Sequence, residues 1–90
     1  MKILKTDNSY YFDDNGIVAA EVTYSRAGDT MIIIDHTSVH DDYRHQGLAK
    51  KLVYEIVYYA RENNLKIIPL CPFAKATFQK DDTLKDILKK

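Results

Sequence analysis

The second half of the chain carries its apolar residues at helical spacing. They recur every three or four positions and form one stripe: Leu48, Ala49, Leu52, Val53, Ile56, Val57 and Ala60. This period predicts a long amphipathic helix over residues 46–63. Asn63 and Asn64 are expected to end it, because Asn tolerates the left-handed conformation of a helix C-terminus.

The first half of the chain has the pattern of strands. Residues 9–13 hold an aromatic cluster, residues 17–25 alternate between apolar and polar, and residues 30–39 are a long β-branched run. In the middle segment the expected inner face consists of Val18, Ala20, Val22 and Tyr24. Turn sequences at 13–16 and 27–29 separate the segments, so we expect three strands in an antiparallel meander.

A short apolar run, KIIPL at residues 66–70, follows the helix and predicts a buried strand. A strand–helix–strand crossover is right-handed and places this strand parallel to the one at 30–39. Two short helical pieces are expected near 73–79 and 83–89, the last capped by Asp82 or Thr83. The predicted class is α/β (α+β), with a mixed, mostly antiparallel sheet, one long helix in the crossover and short C-terminal helices.

Composition narrows the function classes. Ninety residues predict a single domain, 1–90, and the 13 basic and 13 acidic residues cancel. A balanced charge argues against a nucleic-acid-binding protein. Cys71 stands alone, which excludes an internal disulfide and favours a reduced setting. No apolar run suggests a signal peptide or a membrane span, so we expect a soluble, cytoplasmic protein that does not bind membranes.

The candidate binding site is the segment YRHQGLAKK, residues 43–51. The first turn of a helix has backbone N–H groups without partners, and with the helix dipole they form an anion site. Residues 43–46 include no Ser, Thr, Asp or Asn to cap the helix, although Asp42 could do so if the helix began earlier. Gly47 keeps bulk away from the backbone, and Arg44 adds positive charge. These features predict a site for a diphosphate.

The spacing Arg-x-x-Gly-x-Ala at 44–49 resembles the acyl-CoA pyrophosphate loop of the GNAT superfamily, whose pattern is Arg/Gln-x-x-Gly-x-Gly/Ala. The wider string HTSVHDDYRHQGLAKKLV at 36–53, with PLCPF at 69–73, is similar to the small GNAT-like proteins of the YjdJ type, or N-acetyltransferase domain-containing proteins. The resemblance covers residues 10–90.

The resemblance implies a GNAT-like fold that uses acetyl-CoA as co-substrate and acetylates an unknown amine. The pantetheine arm of CoA would lie where the strands at 30–39 and 66–71 splay apart. The implied cofactor-binding residues are Val39 and His40, through their backbone, and then Arg44, His45, Gln46, Gly47, Leu48, Ala49 and Lys50. The thioester end would point toward Cys71 and His36.

Two residues are candidates for catalysis. Cys71 ends a predicted strand just before the helix that Pro72 is expected to start, and a thiol at a helix N-terminus can become a nucleophile. Its other interpretation is a buried, inert core thiol. His36, expected on one strand face with Ile32 and Ile34, is either a general base or a histidine satisfied at the core edge. If the two approach each other, they would form an activated thiol pair. No ligand spacing for zinc is present.

Several functions stay open at this point. The chain has no counterparts of the N-terminal helices and C-terminal strands that shape the amine site in larger GNAT enzymes, and no carboxylate matches their general base. It is therefore either an N-acetyltransferase, acting by direct attack of the amine or through an acetylated Cys71, or a CoA-binding module without turnover. An interaction subunit that has lost cofactor binding is a third alternative. We expect a monomer or a weak homodimer.

Overall fold

A five-stranded sheet is the framework of the protein, as seen in a computed structural model that describes residues 1–89. Lys90, which the predicted domain 1–90 includes, lies outside the described residues. The strands are β1 Lys2–Lys5, β2 Ser9–Asp14, β3 Ile17–Ala27, β4 Met31–Val39 and β5 Lys66–Pro69. The helices are α1 Leu48–Glu62 and α2 Pro72–Lys80, and short 3₁₀ turns occupy Asp41–Tyr43 and Asp82–Leu84.

The strands lie in chain order across the sheet. The first four pair antiparallel, and β5 pairs parallel to β4 after the crossover through α1. The predicted meander, crossover and mixed sheet are confirmed. The sequence pattern missed β1, because all four of its residues are exposed and it therefore has no apolar face to display a period of two.

Two β-bulges interrupt the alternation of side chains. Opposite Phe12 and Asp13, β3 carries the extra residue Ala19, and opposite Thr23 and Tyr24, β4 carries the extra residue Asp35. A one-residue shift exchanges the two faces of a strand beyond it. Val18, expected on the inner face, is therefore 46% exposed, while Ala19 is fully buried.

Helix α1 packs its apolar stripe against the sheet. All the residues predicted to form that stripe are buried, and Leu52, Val53 and Ile56 have no exposed surface. The helix begins at Leu48 rather than at residue 46, since His45 and Gly47 have positive φ angles and keep the preceding loop non-helical. It ends at Glu62, and Asn64 adopts the left-handed conformation, as predicted for this stop. None of the helices in the described residues has the length and apolar character needed to cross a bilayer.

The C-terminal segment differs from the prediction. Pro72 does start α2, but the helix expected at 83–89 is wrong: only the turn Asp82–Leu84 forms, capped by Asp81 rather than by Asp82 or Thr83. The following chain runs beside β5, where Ile67 N–H donates to the Ile87 carbonyl at 2.6 Å and Lys89 N–H donates to the Ile67 carbonyl at 2.9 Å. Pairing with the free edge of β5 satisfies backbone groups of Ile67 that a terminal helix would leave exposed.

Candidate functional site at the start of the long helix

The pairing between β4 and β5 ends at the pair Ile34–Pro69, where β5 itself ends. The last hydrogen bond between them runs from the Leu70 N–H to the Ile34 carbonyl at 3.1 Å, while β4 continues five residues further, to Val39. A cavity of about 530 Å³, which we call the strand gap, opens here between the end of β4 and Phe73 of α2. The predicted splay of the two strands stays a prediction, because β5 ends at Pro69 and Thr37 and Cys71, further along, are still in contact.

The free edge of β4 offers backbone groups to the strand gap. His40 N–H donates to the Ala19 carbonyl at 2.9 Å, and the His40 carbonyl accepts from Tyr43 N–H at 2.9 Å. Both backbone groups of His40 are therefore bonded within the protein. Val39 and Thr37 lie opposite Ala20 and Val22 as non-hydrogen-bonded pairs of the antiparallel ladder, so their own N–H and C=O groups point away from β3. The backbone N–H and C=O groups available to pair with a ligand are therefore those of Val39 and Thr37, whereas the prediction named Val39 and His40.

The start of α1 is uncapped, as the prediction of an anion site requires. Gly47 is the N-cap residue with φ 72°, and no side chain among residues 1–89 caps the helix there. The first α-helical bond runs from Lys51 N–H to the Gly47 carbonyl at 3.2 Å, so the preceding amides have no partner within the helix. A Cβ atom at Gly47 would meet nothing within 4 Å. A depression of about 230 Å³, which we call the Gly47 corner, is lined by Gly47 and the first residues of α1, and Phe73 of α2 lies on its rim.

Two basic residues, Arg44 and Lys50, lie close to this corner, although Arg44 is already paired. His45, Gln46, Gly47 and Lys50 are exposed, whereas Leu48 and Ala49 are buried and contribute only their backbone amides. The Arg44 guanidinium contacts the Asp41 carboxylate at 3.0 Å, with 63% and 85% of the two side chains exposed. Ion pairs this exposed are weak, so an incoming anion can compete for Arg44.

Cys71 lies where the second helix begins. It is 7% exposed and acts as the N-cap residue of α2, since its sulfur accepts a hydrogen bond from Ala74 N–H at 3.4 Å. The sulfur also lies 3.1 Å from the Thr37 hydroxyl, in a hydrogen bond for which either group can be the donor. Because Thr37 lines the strand gap, Cys71 is one residue removed from that cavity.

His36 does not lie on the face where it was expected. Beyond the bulge at Asp35, the inner face of β4 continues with Thr37 and Val39, and His36 is exposed. The predicted sharing of a face with Ile32 and Ile34 is wrong, and the partner of Cys71 is Thr37. Little signal for this existed in the sequence, because the strand reads MIIIDHTSV and has no apolar–polar alternation whose interruption would mark the bulge.

Comparison with known families decides the classification. A profile of the GCN5-related N-acetyltransferases matches residues 9–87. The chain belongs to this family, also called GNAT. In addition, the part of the chain described by the structure contains no cluster of three or more His, Cys, Asp or Glu that could hold a metal ion.

Solved structures support the GNAT assignment. A GCN5-like protein from Staphylococcus aureus, whose proposed activity is N-acetyl transfer, is 43% identical, with 98% of this chain and 87% of that chain covered and a TM-score of 0.81. The ribosomal-protein-alanine N-acetyltransferase from Brucella melitensis is 20% identical over 80% of this chain, at a TM-score of 0.64. Rv2747 from Mycobacterium tuberculosis, in complex with CoA, is 16% identical over 81%, at a TM-score of 0.66.

The GNAT domain described here spans 59% of the Brucella enzyme and 46% of Rv2747. At these identities the comparison shows a shared fold and does not carry the substrates of the two larger proteins over to this chain. No curated protein sequence matches the chain.

Proposed function

We propose that this GNAT domain binds acetyl-CoA, with the cofactor pyrophosphate on the backbone amides that follow Gly47, and transfers the acetyl group to an amine. The observation that carries the proposal is the uncapped start of α1, which lines an open depression close to an exposed Arg44. Free amides at a helix N-terminus, together with the helix dipole, favour a phosphate group. The CoA complex of Rv2747 supports the same cofactor on this fold.

The cofactor would follow the surface features in one direction. The pyrophosphate lies on the amides of Leu48, Ala49 and Lys50, with Arg44 turning from Asp41 to the phosphate oxygens. His45 and Gln46 border the diphosphate on the loop side. From there the pantetheine arm enters the strand gap, where its amides pair with the open backbone groups of Val39. The thioester end then comes to the region of Thr37 and Cys71.

Acetyl transfer needs little chemistry from the protein. The neutral amine attacks the acetyl carbonyl, a C–N bond forms, the C–S bond breaks, and the CoA thiolate takes up the proton that the amine loses. Positioning of the two reactants supplies much of the acceleration. A proton carrier near the sulfur helps the thiolate to leave, and the hydrogen-bonded Thr37 hydroxyl and Cys71 thiol are the proposed carriers.

A covalent route through Cys71 is the alternative within the same function. Its thiolate would displace CoA and form an acetyl-cysteine, which the amine then attacks. His36 is exposed on the face of β4 away from Cys71, so it can act as a base only for an amine that arrives from that other face. The position of His36 also favours a second candidate function: a CoA-binding module without turnover.

Calorimetric titration with CoA tests the binding step. Gly47→Glu should abolish binding, because it places a carboxylate where the diphosphate lies, whereas Gly47→Gln adds the same bulk without the charge and should retain part of the affinity. Gly28→Glu is the matched control, since Gly28 also has a positive φ, 69°, with nothing within 4 Å of its Cβ position. Unchanged CoA affinity in Gly47→Glu would remove the basis of the proposal.

Turnover separates the enzyme from the module. Release of CoA from acetyl-CoA, above background hydrolysis, over a panel of amines supports the acetyltransferase, and tight binding without release supports the module. Mass spectrometry after incubation with acetyl-CoA then distinguishes the two routes. An acetyl adduct that Cys71→Ala abolishes supports the covalent route, and full turnover in Cys71→Ser with no adduct in the native chain supports direct attack.

A further inference from the structure

A depression of about 330 Å³ lies between α1 and α2. We call it the interhelical pocket. Its lining includes Lys50 and Tyr54 from α1, and Phe73 and Lys80 from α2. Lys50 and Phe73 also line the depression at Gly47, and Phe73 lines the strand gap. The three depressions are therefore neighbours, in the order strand gap, Gly47 corner and interhelical pocket.

The order of groups in coenzyme A matches the order of these depressions. The molecule runs from its thiol through pantetheine and pyrophosphate to an adenosine that carries a 3′-phosphate. With the pyrophosphate on the amides after Gly47 and the pantetheine in the strand gap, the adenosine leaves on the side away from Thr37. The interhelical pocket adjoins the Gly47 corner there, because the two share Lys50 and Phe73.

The chemistry of the interhelical pocket suits a nucleotide that bears a phosphate monoester. Lys50 of α1 and Lys80 of α2 are exposed residues in its lining, and Phe73, 40% exposed, offers an aromatic side chain for a base to stack on. Asp81 also lines the pocket. Its carboxylate is bonded within the protein, because it accepts hydrogen bonds from the Tyr54 hydroxyl and from the Thr83 N–H and hydroxyl.

We infer that Lys80, together with Lys50, binds the 3′-phosphate of coenzyme A in the interhelical pocket, so that the chain distinguishes CoA from dephospho-CoA. The inference rests on the proposed function and adds a specificity residue to it. The phosphate monoester carries nearly two negative charges at neutral pH, and each exposed lysine adds a modest attraction. We expect CoA to bind about tenfold more tightly than dephospho-CoA at low salt.

The test compares the two ligands by calorimetry in the native chain, in Lys80→Gln and in Lys75→Gln. Lys75 lies on the same helix and its replacement removes the same charge, but its side chain lines a different depression, beside Ile68 and Leu88. In Lys80→Gln the affinity for CoA should fall severalfold while that for dephospho-CoA is unchanged. Lys75→Gln should keep the native preference.

Each result bears on a different claim. Equal affinities for the two ligands in the native chain would overturn the inference and leave the proposed function intact. A native preference that survives Lys80→Gln, or one that Lys75→Gln reduces equally, would overturn the assignment to Lys80. Binding of neither ligand would remove the proposed function and the inference with it. Circular dichroism of both variants verifies that the fold is retained.

Discussion

The hydroxyl of Thr37 lies 3.1 Å from the sulfur of Cys71, and this contact joins the end of β4 to the first turn of α2. The same sulfur accepts the Ala74 N–H at 3.4 Å. Cys71 therefore has a structural role as the N-cap residue of α2, which is independent of any role in acetyl transfer. A bulge at Asp35, one residue long, is what places Thr37 rather than His36 at this position.

The role of Cys71 as an N-cap predicts that two substitutions at this position differ in their effect on the free energy of unfolding. Cys71→Ala removes the N-cap acceptor and the partner of the Thr37 hydroxyl, and should lower the free energy of unfolding by about 1–2 kcal/mol. Cys71→Ser keeps an acceptor at the cap and should cost less. Urea unfolding followed by circular dichroism measures both.

Thr37→Val provides the control for that comparison. It removes the same contact from the other side while preserving the shape of the side chain. The double variant Thr37→Val/Cys71→Ala should be less destabilised than the sum of the two single variants, because both remove one shared interaction. Strict additivity would mean that the 3.1 Å contact contributes nothing to stability.

The ion pair between Arg44 and Asp41 predicts a gain of affinity. Asp41→Asn frees the guanidinium for the diphosphate and removes a negative charge near it, so CoA affinity should rise about two- to fivefold at low salt. Calorimetry measures the change, and added salt should reduce it.

Asp42→Asn is the matched variant for this test. It removes the neighbouring charge, but the carboxylate of Asp42 lies near His40 rather than at Arg44. A smaller rise is expected there. Equal gains in the two variants would indicate a general field effect, and a loss of affinity in Asp41→Asn would contradict any role for a released Arg44.

The long helix and its uncapped start could be predicted because their signals are local. The apolar period of α1 extends over many residues. Residues 43–46 alone show that no capping side chain precedes the N-terminus of this helix. Cys71 and Pro72 were likewise placed correctly at the start of α2, since Pro at the first helical position is a local preference.

The predictions that were wrong concern features that depend on contacts between residues distant in sequence. The bulges at Ala19 and Asp35 are fixed by the register against the neighbouring strand, and a single extra residue reverses the faces of His36 and Thr37. At the C-terminus, Ile87 and Leu88 have helical spacing with Leu84, yet the free edge of β5 takes the segment as an extended partner. Tertiary pairing overrides local propensity in both places.

Acid stability should depend on the contact between Arg61 and Asp86. Arg61 donates to both carboxylate oxygens, at 3.2 and 3.0 Å, and also to the Thr83 carbonyl at 2.7 Å. The Arg61 hydrogen bonds hold the pKa of Asp86 below its ordinary value of 3.8. The unfolded chain thus takes up the proton first as the pH falls, so stability present above pH 3.8 is lost progressively below it.

Asp86→Asn should therefore flatten the decline of stability in acid, as measured by thermal unfolding at a series of pH values. Some decline should remain, because hydrogen bonds from Thr83 and Tyr54 also lower the pKa of Asp81. Asp29→Asn, in the turn between β3 and β4, matches the charge change away from this contact. An acid profile in Asp86→Asn identical to that of the native chain would contradict the assignment.

Alkaline stability should depend on Tyr10, which is 7% exposed and packs against Tyr24 with 5.8 Å between ring centroids. Burial raises the pKa of Tyr10 from 10.0 to about 12. The unfolded chain loses this proton first, so folding becomes less favourable as the pH rises from 10 toward 12. Tyr10→Phe keeps the ring and removes the ionisable group, and should therefore lose less stability over that interval. Urea unfolding at both ends of the range measures the difference.

Since hydrogen bonding to Asp81 also raises the pKa of Tyr54, a residual decline is expected in the variant. Parallel losses in the two proteins would mean that the Tyr10 hydroxyl ionises as easily in the core as in water.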